Sequence, residues 1–276
     1  MARPHIEFIQ SQWLSWQRGL YDEFRPGVDT KVLSRDGETG AASLLQRYPR
    51  GWSQSRTLFL SVDEELFVIQ GELRINDIVY GPHTFAYLPA GYAREVAVSP
   101  KGALVLTFFE GEPGLRDAGS GGFARERLVE FVDGMEGPWG GVTNPKFPPG
   151  GGRKMLRVDP PTQDETWLLG TMPLRNGYEP EIHPTVEEMY LLAGDVAGNL
   201  GTMRPGAYFW RPKGVPHGPY GTRTGSLYFF RTKGGALSTT YGEAQESFDW
   251  HPDYAPALPP ELQQYATYRF DGARNY

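Results

Sequence analysis

The chain has 276 residues, a net charge of −6, 35 glycines, 24 prolines and no cysteine. That length suits one large domain or two ordinary ones, and the missing cysteine excludes disulfides and thiolate metal sites. Lysine and arginine are scattered without a basic stripe, which argues against a nucleic-acid partner. No window nears 18 continuous apolar residues, which argues against a membrane helix.

In chain order, the opening "MARPHIEFIQSQWLSW" lacks a signal-peptide core, so a cytoplasmic location is expected. Short β-rich runs follow: "SLLQRY" at 43–48, "LFVIQGELRI" at 66–75, "TFAYLP" at 84–89 and "LVLTFF" at 104–109. A Gly-rich connection covers 116–128. The second half brings "TWLLGTMPL" at 166–174, "EMYLLAG" at 188–194, "AYFWRP" at 207–212 and "LYFFRT" at 227–232. Gly, Pro, Asn and Asp bound these runs, which reads as an all-β sandwich or barrel. Helix is expected only as a turn or two, at "GLYDEF" or in "PPELQQYATY" within the Pro- and Tyr-rich arm at 251–276.

The halves repeat. "IEFI" at 6–9 meets "VEFV" at 129–132, "KVLSRD" at 31–36 meets "KMLRVD" at 154–159, and "EELFVIQG" at 64–71 meets "EEMYLLAG" at 187–194, all at an offset of 123. Over 58–94 against 181–217, seven of 37 positions are identical, where chance at average usage gives roughly two. The reading is therefore an internal duplication: one domain over 1–115 and another over 129–250.

Within "EIHPTVEEMYLLAGD" at 181–195, strand alternation puts Glu181 and His183 on one side. The Pro-Thr bend lets Glu187 return to that side, and the turn "PKGVPH" delivers His217. Two imidazoles with one or two carboxylates suit a divalent transition metal with open positions. The first half keeps Glu64 but has Leu58, Leu60 and Arg94 where the second has Glu181, His183 and His217. Its ligands are lost, and a Glu64–Arg94 ion pair is expected instead. His5, His83 and His251 have no partners at ligand spacing and read as structural or exposed.

Gly177, then E-I-H-P-T-V-E, then Gly194, together with "GAYFWRPKGVPH" from Gly206 to His217, resemble the two motifs of the cupin superfamily. Because both halves carry the pattern, the chain resembles a bicupin, and more narrowly an uncharacterised bicupin group with a similar "HGP…RTG" ending. The resemblance implies two tandem cupin barrels (double-stranded β-helix, or jelly roll). It implies metal ligation by His183, Glu187 and His217. Glu181 departs from the family's usual histidine. It reads either as a fourth ligand, the favoured choice, or as a catalytic base beside the metal. A homodimer is also implied.

Candidates to line a substrate pocket are Trp167, Leu169, Met172, Tyr190, Tyr208, Trp210, Tyr228 and Arg231, although the sequence leaves the inward face of each strand open. Their aromatic character suggests a small apolar or aromatic substrate, and an inward Arg231 would suggest a carboxylate or enolate. Two histidines and a carboxylate favour Fe(II), and the cupin resemblance favours a dioxygenase. The alternatives are a Mn-, Zn- or Ni-dependent isomerase, hydrolase or lyase, or a non-catalytic binding protein.

Overall fold

The computed structural model describes residues 2–117, 121–141 and 146–272. Its main strands, in chain order, are β1 (Ile6–Gln10), β2 (Asp29–Arg35), β3 (Ala42–Tyr48), β4 (Glu64–Gly71), β5 (Thr84–Leu88), β6 (Ala103–Phe109), β7 (Val129–Asp133), β8 (Gly151–Val158), β9 (Glu165–Thr171), β10 (Val186–Gly194), β11 (Ala207–Arg211) and β12 (Ser226–Lys233). Helix among the described residues is limited to 3-10 turns, one of them at Pro260–Tyr265 in the C-terminal arm. Among the described residues, no helix is long and apolar enough to cross a membrane.

The chain forms two compact units. Unit 1 comprises Met1–Arg3 and Leu14–Gly137; unit 2 comprises Pro4–Trp13 and Pro138–Tyr276. In unit 1 the large antiparallel sheet runs β7-β5-β4-β6-β3-β2, and in unit 2 it runs β1-β11-β10-β12-β9-β8 with Gly140–Gly141 at the edge. The orders are the same once the repeat offset is applied, with one exchange. β1 begins the first repeat but completes the sheet of unit 2, where Ile6 faces Trp210 and Ile9 faces Tyr208. β7 begins the second repeat but joins unit 1 through β5.

The units therefore differ from the boundaries 1–115 and 129–250 read from the repeat. Sequence repetition records which residues are equivalent, whereas backbone pairing decides which sheet a terminal strand enters. The C-terminal arm packs on β1: Ala257 exchanges backbone hydrogen bonds with Glu7, and the Tyr254 hydroxyl donates to the Phe8 carbonyl at 2.7 Å.

Each unit closes its large sheet with a smaller one and buries apolar side chains from both. In unit 2 that cluster joins Trp167, Met189, Leu191, Phe209, Tyr228 and Phe230 of the large sheet to Val196 and Met203 of the smaller one. In unit 1 it joins Leu66, Val68, Ala86 and Leu88 to Leu73, Ile75 and Tyr80. The shared glycines have a common cause. Gly71 and Gly194 both hold positive φ, 78° and 83°. A Cβ at either would lie 2.0 or 1.8 Å from the carbonyl oxygen of Gly102 or Gly225, so only glycine fits.

Candidate metal centre and cavity

The donors come together through a short backbone ladder in unit 2. Glu181 N–H donates to the His217 carbonyl at 2.9 Å, and His217 N–H donates back to Glu181 at 3.0 Å. The segment Glu181–Ile182 also pairs with Thr240–Tyr241 on its other side. The turn holding His217 is tied down as well, because Gly214 N–H donates to the His183 carbonyl. As a result one donor atom each from Glu181, His183 and His217 lie within 4.8 Å of one another.

Both imidazoles are oriented by main-chain carbonyls. His183 Nδ1 lies 2.9 Å from the Ser238 carbonyl, and His217 Nδ1 lies 2.9 Å from that of Val215. A carbonyl can only accept, so each Nδ1 carries the proton and each Nε2 turns its lone pair to the site. His217 Nε2 is buried with no hydrogen-bond partner among the described residues. Burial and the Arg211 charge push the His217 pKa down to about 3, so the ring is neutral, as a metal ligand requires. Burial and the nearby Glu187 charge push Glu181 up to about 7. A buried orphan lone pair, a second fixed imidazole and a carboxylate short of positive charge fit a divalent cation.

Glu187 is close but already engaged. Its Oε2 lies 3.8 Å from both His183 Nε2 and His217 Nε2. Arg211 donates to the same oxygen and also holds Glu7 of β1, with Arg211 Nε 2.7 Å from Glu7 Oε2. Tyr220 completes this buried group, accepting from Arg211 Nη2 at 2.8 Å. Burial alone would raise the Glu7 pKa, but the Arg211 charge and hydrogen bonds hold it well below the usual carboxylate range.

Glu181, His183 and Glu187 open onto a cavity of about 600 Å³. Trp167 and Phe230 stack along its wall with centroids 5.2 Å apart and 11° between planes, and Tyr228 packs 5.2 Å from Phe230. Arg153, Arg175 and Arg211 also reach it, as do Leu237, Ser238, Thr239 and Tyr241 of the segment after β12.

The profile of DUF4437, a domain of unknown function, matches residues 6–239. The chain belongs to this family. No curated protein matches the sequence. Among solved structures, this DUF4437 chain is similar to a provisionally assigned dioxygenase from Nostoc punctiforme, with a TM-score of 0.78 at 19% identity over 88% of this chain and 92% of that one. It is similar to the oxalate decarboxylase of Bacillus subtilis, with a TM-score of 0.56 at 12% identity over 85% and 79%. The salicylate 1,2-dioxygenase of Pseudoaminobacter salicylatoxidans gives 0.51 at 11% identity over 73% and 75%. These likenesses establish the fold: two cupin barrels in tandem, all-β.

Sheet parity sorts the residues expected in the pocket. Trp167, Leu169 and Tyr228 line the cavity. Tyr190, Tyr208, Trp210 and Arg231 do not, because they stand on the other face of the same sheet. There Tyr208 donates to Glu188 at 2.6 Å, Arg231 donates to Glu188 at 2.7 Å, and the Tyr190 hydroxyl lies 3.0 Å from Ser11 Oγ. Met172 lies past the end of β9 and is 65% exposed. Among the residues missed were Met189, Phe209, Phe230, Tyr220 and Arg175. A signal for the first three was present. Once Glu187 is taken as inward, the pairs Glu187–Arg211, Met189–Phe209 and Met189–Phe230 share its face. Arg175 and Tyr220 sit on or beside the smaller sheet, where no alternation in sequence announces them.

Proposed function

We propose that this protein is a metal-dependent enzyme, a non-haem iron(II) dioxygenase acting on a small aromatic or enolisable organic substrate. One observation carries the reading: two Nε2 lone pairs, fixed by carbonyl bonds at the opposite ring nitrogens, converge with Glu181 at a large aromatic cavity. Glu181, His183 and His217 would hold the ion, with Glu187 beside them under the control of Arg211. The chemistry an iron(II) ion supplies when bound to such a set is oxygen activation. Everything else falls to the chain. His217 is neutral, and Glu181, with its pKa pushed up to about 7, would give up its proton on holding a cation. Trp167, Tyr228 and Phe230 exclude water and offer flat faces to a planar substrate.

A second reading has a specific observation behind it. A carboxylate with a pKa of about 7 is poised as a general base at neutral pH. With Mn, Zn or Ni as a Lewis acid, the same site would run an isomerase, hydrolase or lyase reaction.

The test is elemental analysis of protein purified anaerobically, for wild type and for the double variant His183→Ala, His217→Ala. Near-stoichiometric iron lost in the variant, with substrate-dependent oxygen uptake, supports the dioxygenase. Another metal with anaerobic turnover moves the assignment to Lewis-acid chemistry. Equal metal in both proteins removes the assigned site.

A further inference from the structure

A guanidinium with unused N–H groups in a cavity is a carboxylate receptor, because its planar fork matches two oxygens at once. Three arginines line the cavity of unit 2. Arg211 is committed to Glu7 and Glu187. Arg153 donates to Glu165 at 3.1 Å. Arg175 differs, having no carboxylate within ion-pair distance among the described residues.

Its orientation is nevertheless fixed. Nε donates to the carbonyls of Pro148 and Pro149 at 3.1 Å each, and Nη2 donates to Pro148 at 3.0 Å. The Phe147 ring centroid lies 4.1 Å from the guanidinium carbon. These contacts use one edge of the fork and leave Nη1 with no acceptor among the described residues. Burial pulls the Arg175 pKa below the usual arginine value, yet an arginine stays charged at any physiological pH. The role assigned in sequence to Arg231 has no cavity to act in, since Arg231 is spent on Glu188 on the other face.

The rest of the cavity limits the ligand's shape. Stacked Trp167 and Phe230, with Tyr228 beside them, favour a flat unsaturated body. A volume of about 600 Å³ belongs to the range that houses drug-sized ligands, far more than a two-carbon acid fills.

We propose that the cavity takes a planar unsaturated or aromatic carboxylate, anchored through its carboxylate by Arg175. This rests on reading the cavity as the substrate pocket, but not on the identity of the metal. The test uses metal-stripped protein and two probes of the same shape, trans-cinnamate and the neutral trans-cinnamamide, titrated calorimetrically. Wild type should bind cinnamate at least about tenfold more tightly. Arg175→Gln should bring the two within about twofold while leaving cinnamamide unchanged, and Arg175→Lys should keep part of the preference. Tyr208→Phe, on the other face of the sheet, should keep all of it, and the use of metal-stripped protein separates this anchor from the metal centre.

A measurement that needs no variant is modification of Arg175 by phenylglyoxal, read by mass spectrometry. Cinnamate should protect it and cinnamamide should not. Equal affinities in wild type, an unchanged ratio in folded Arg175→Gln, no cinnamate binding, or no protection would each overturn the proposal, whatever metal the protein carries.

Discussion

In unit 1, Leu58 faces Arg94 across a short strand pair; in unit 2, Glu181 faces His217 in the same register, 123 residues on. The backbone positions around Glu64 and Glu187 thus correspond, and the fillings differ. Glu64 is gripped by Arg25 and by Arg94, whose Nη2 lies 2.9 Å away, and the cavity there is only about 20 Å³. Glu187 has one arginine, two imidazoles and a cavity of about 600 Å³. A buried carboxylate needs positive charge nearby, and the two units meet that need in different ways. Unit 1 uses two tethered guanidiniums, which plug the barrel. Unit 2 uses one, shared with Glu7, and leaves open a donor set suited to a soluble cation.

This contrast can be broken most sharply at the metal. His183→Ala with His217→Ala should abolish metal binding, whereas Glu64→Gln should leave metal content at the wild-type level. Loss of metal in Glu64→Gln would mean that unit 1 takes part in holding the metal.

Next in size is Arg94→Ala, which leaves Glu64 buried with half its charge compensation and should destabilise the protein by about 3–5 kcal/mol in denaturant unfolding. Replacing the whole group, with Arg25→Met, Glu64→Leu and Arg94→Leu together, should be near neutral, because the desolvation of all three charges is removed at once. A neutral Arg94→Ala would show that the ion group adds nothing.

Acid should act on both units. Burial opposes ionisation of Glu64, but Arg25 and Arg94 outweigh it and lower its pKa, as Arg211 does for Glu7. A depressed folded pKa gives stability that is present above the ordinary glutamate value of 4.5 and is lost as pH falls below it. Unfolding free energies measured from about pH 6 to pH 3 should fall steeply in wild type and less so in Glu64→Gln. Equal slopes would remove Glu64 from the account.

The smallest effect belongs to the outer face. Tyr208→Phe removes the hydroxyl's bond to Glu188 while Arg231 still holds that carboxylate, so a loss of about 1–3 kcal/mol is expected. Metal content and cinnamate binding should not change. If they do, Tyr208 reaches the cavity after all.

The repeat, the β class and the grouping of Glu181, His183 and His217 were legible because each is written locally. "EELFVIQG" and "EEMYLLAG" preserve the residues their strands and turns require, and His183 and His217 stand at motif spacing. The Glu64–Arg94 pair was legible for the same reason: it occupies the register that Glu187 and His217 occupy. The pocket wall was only partly legible. Aromatics alternate on both faces of β9 to β12, so composition alone named Tyr190, Tyr208 and Trp210 alongside Trp167 and Tyr228.

By itself, then, the sequence determined two cupin units and the donor types of one site, since hydrophobic alternation and ligand chemistry are carried by neighbouring residues. Tertiary structure decided the rest. The exchange of β1 and β7 between sheets, Arg25 on Glu64, Glu7 on Arg211 and Arg175 beside the aromatic wall all join residues far apart in the chain. Such pairings depend on which backbone edges and buried charges meet on folding, and no local pattern encodes that.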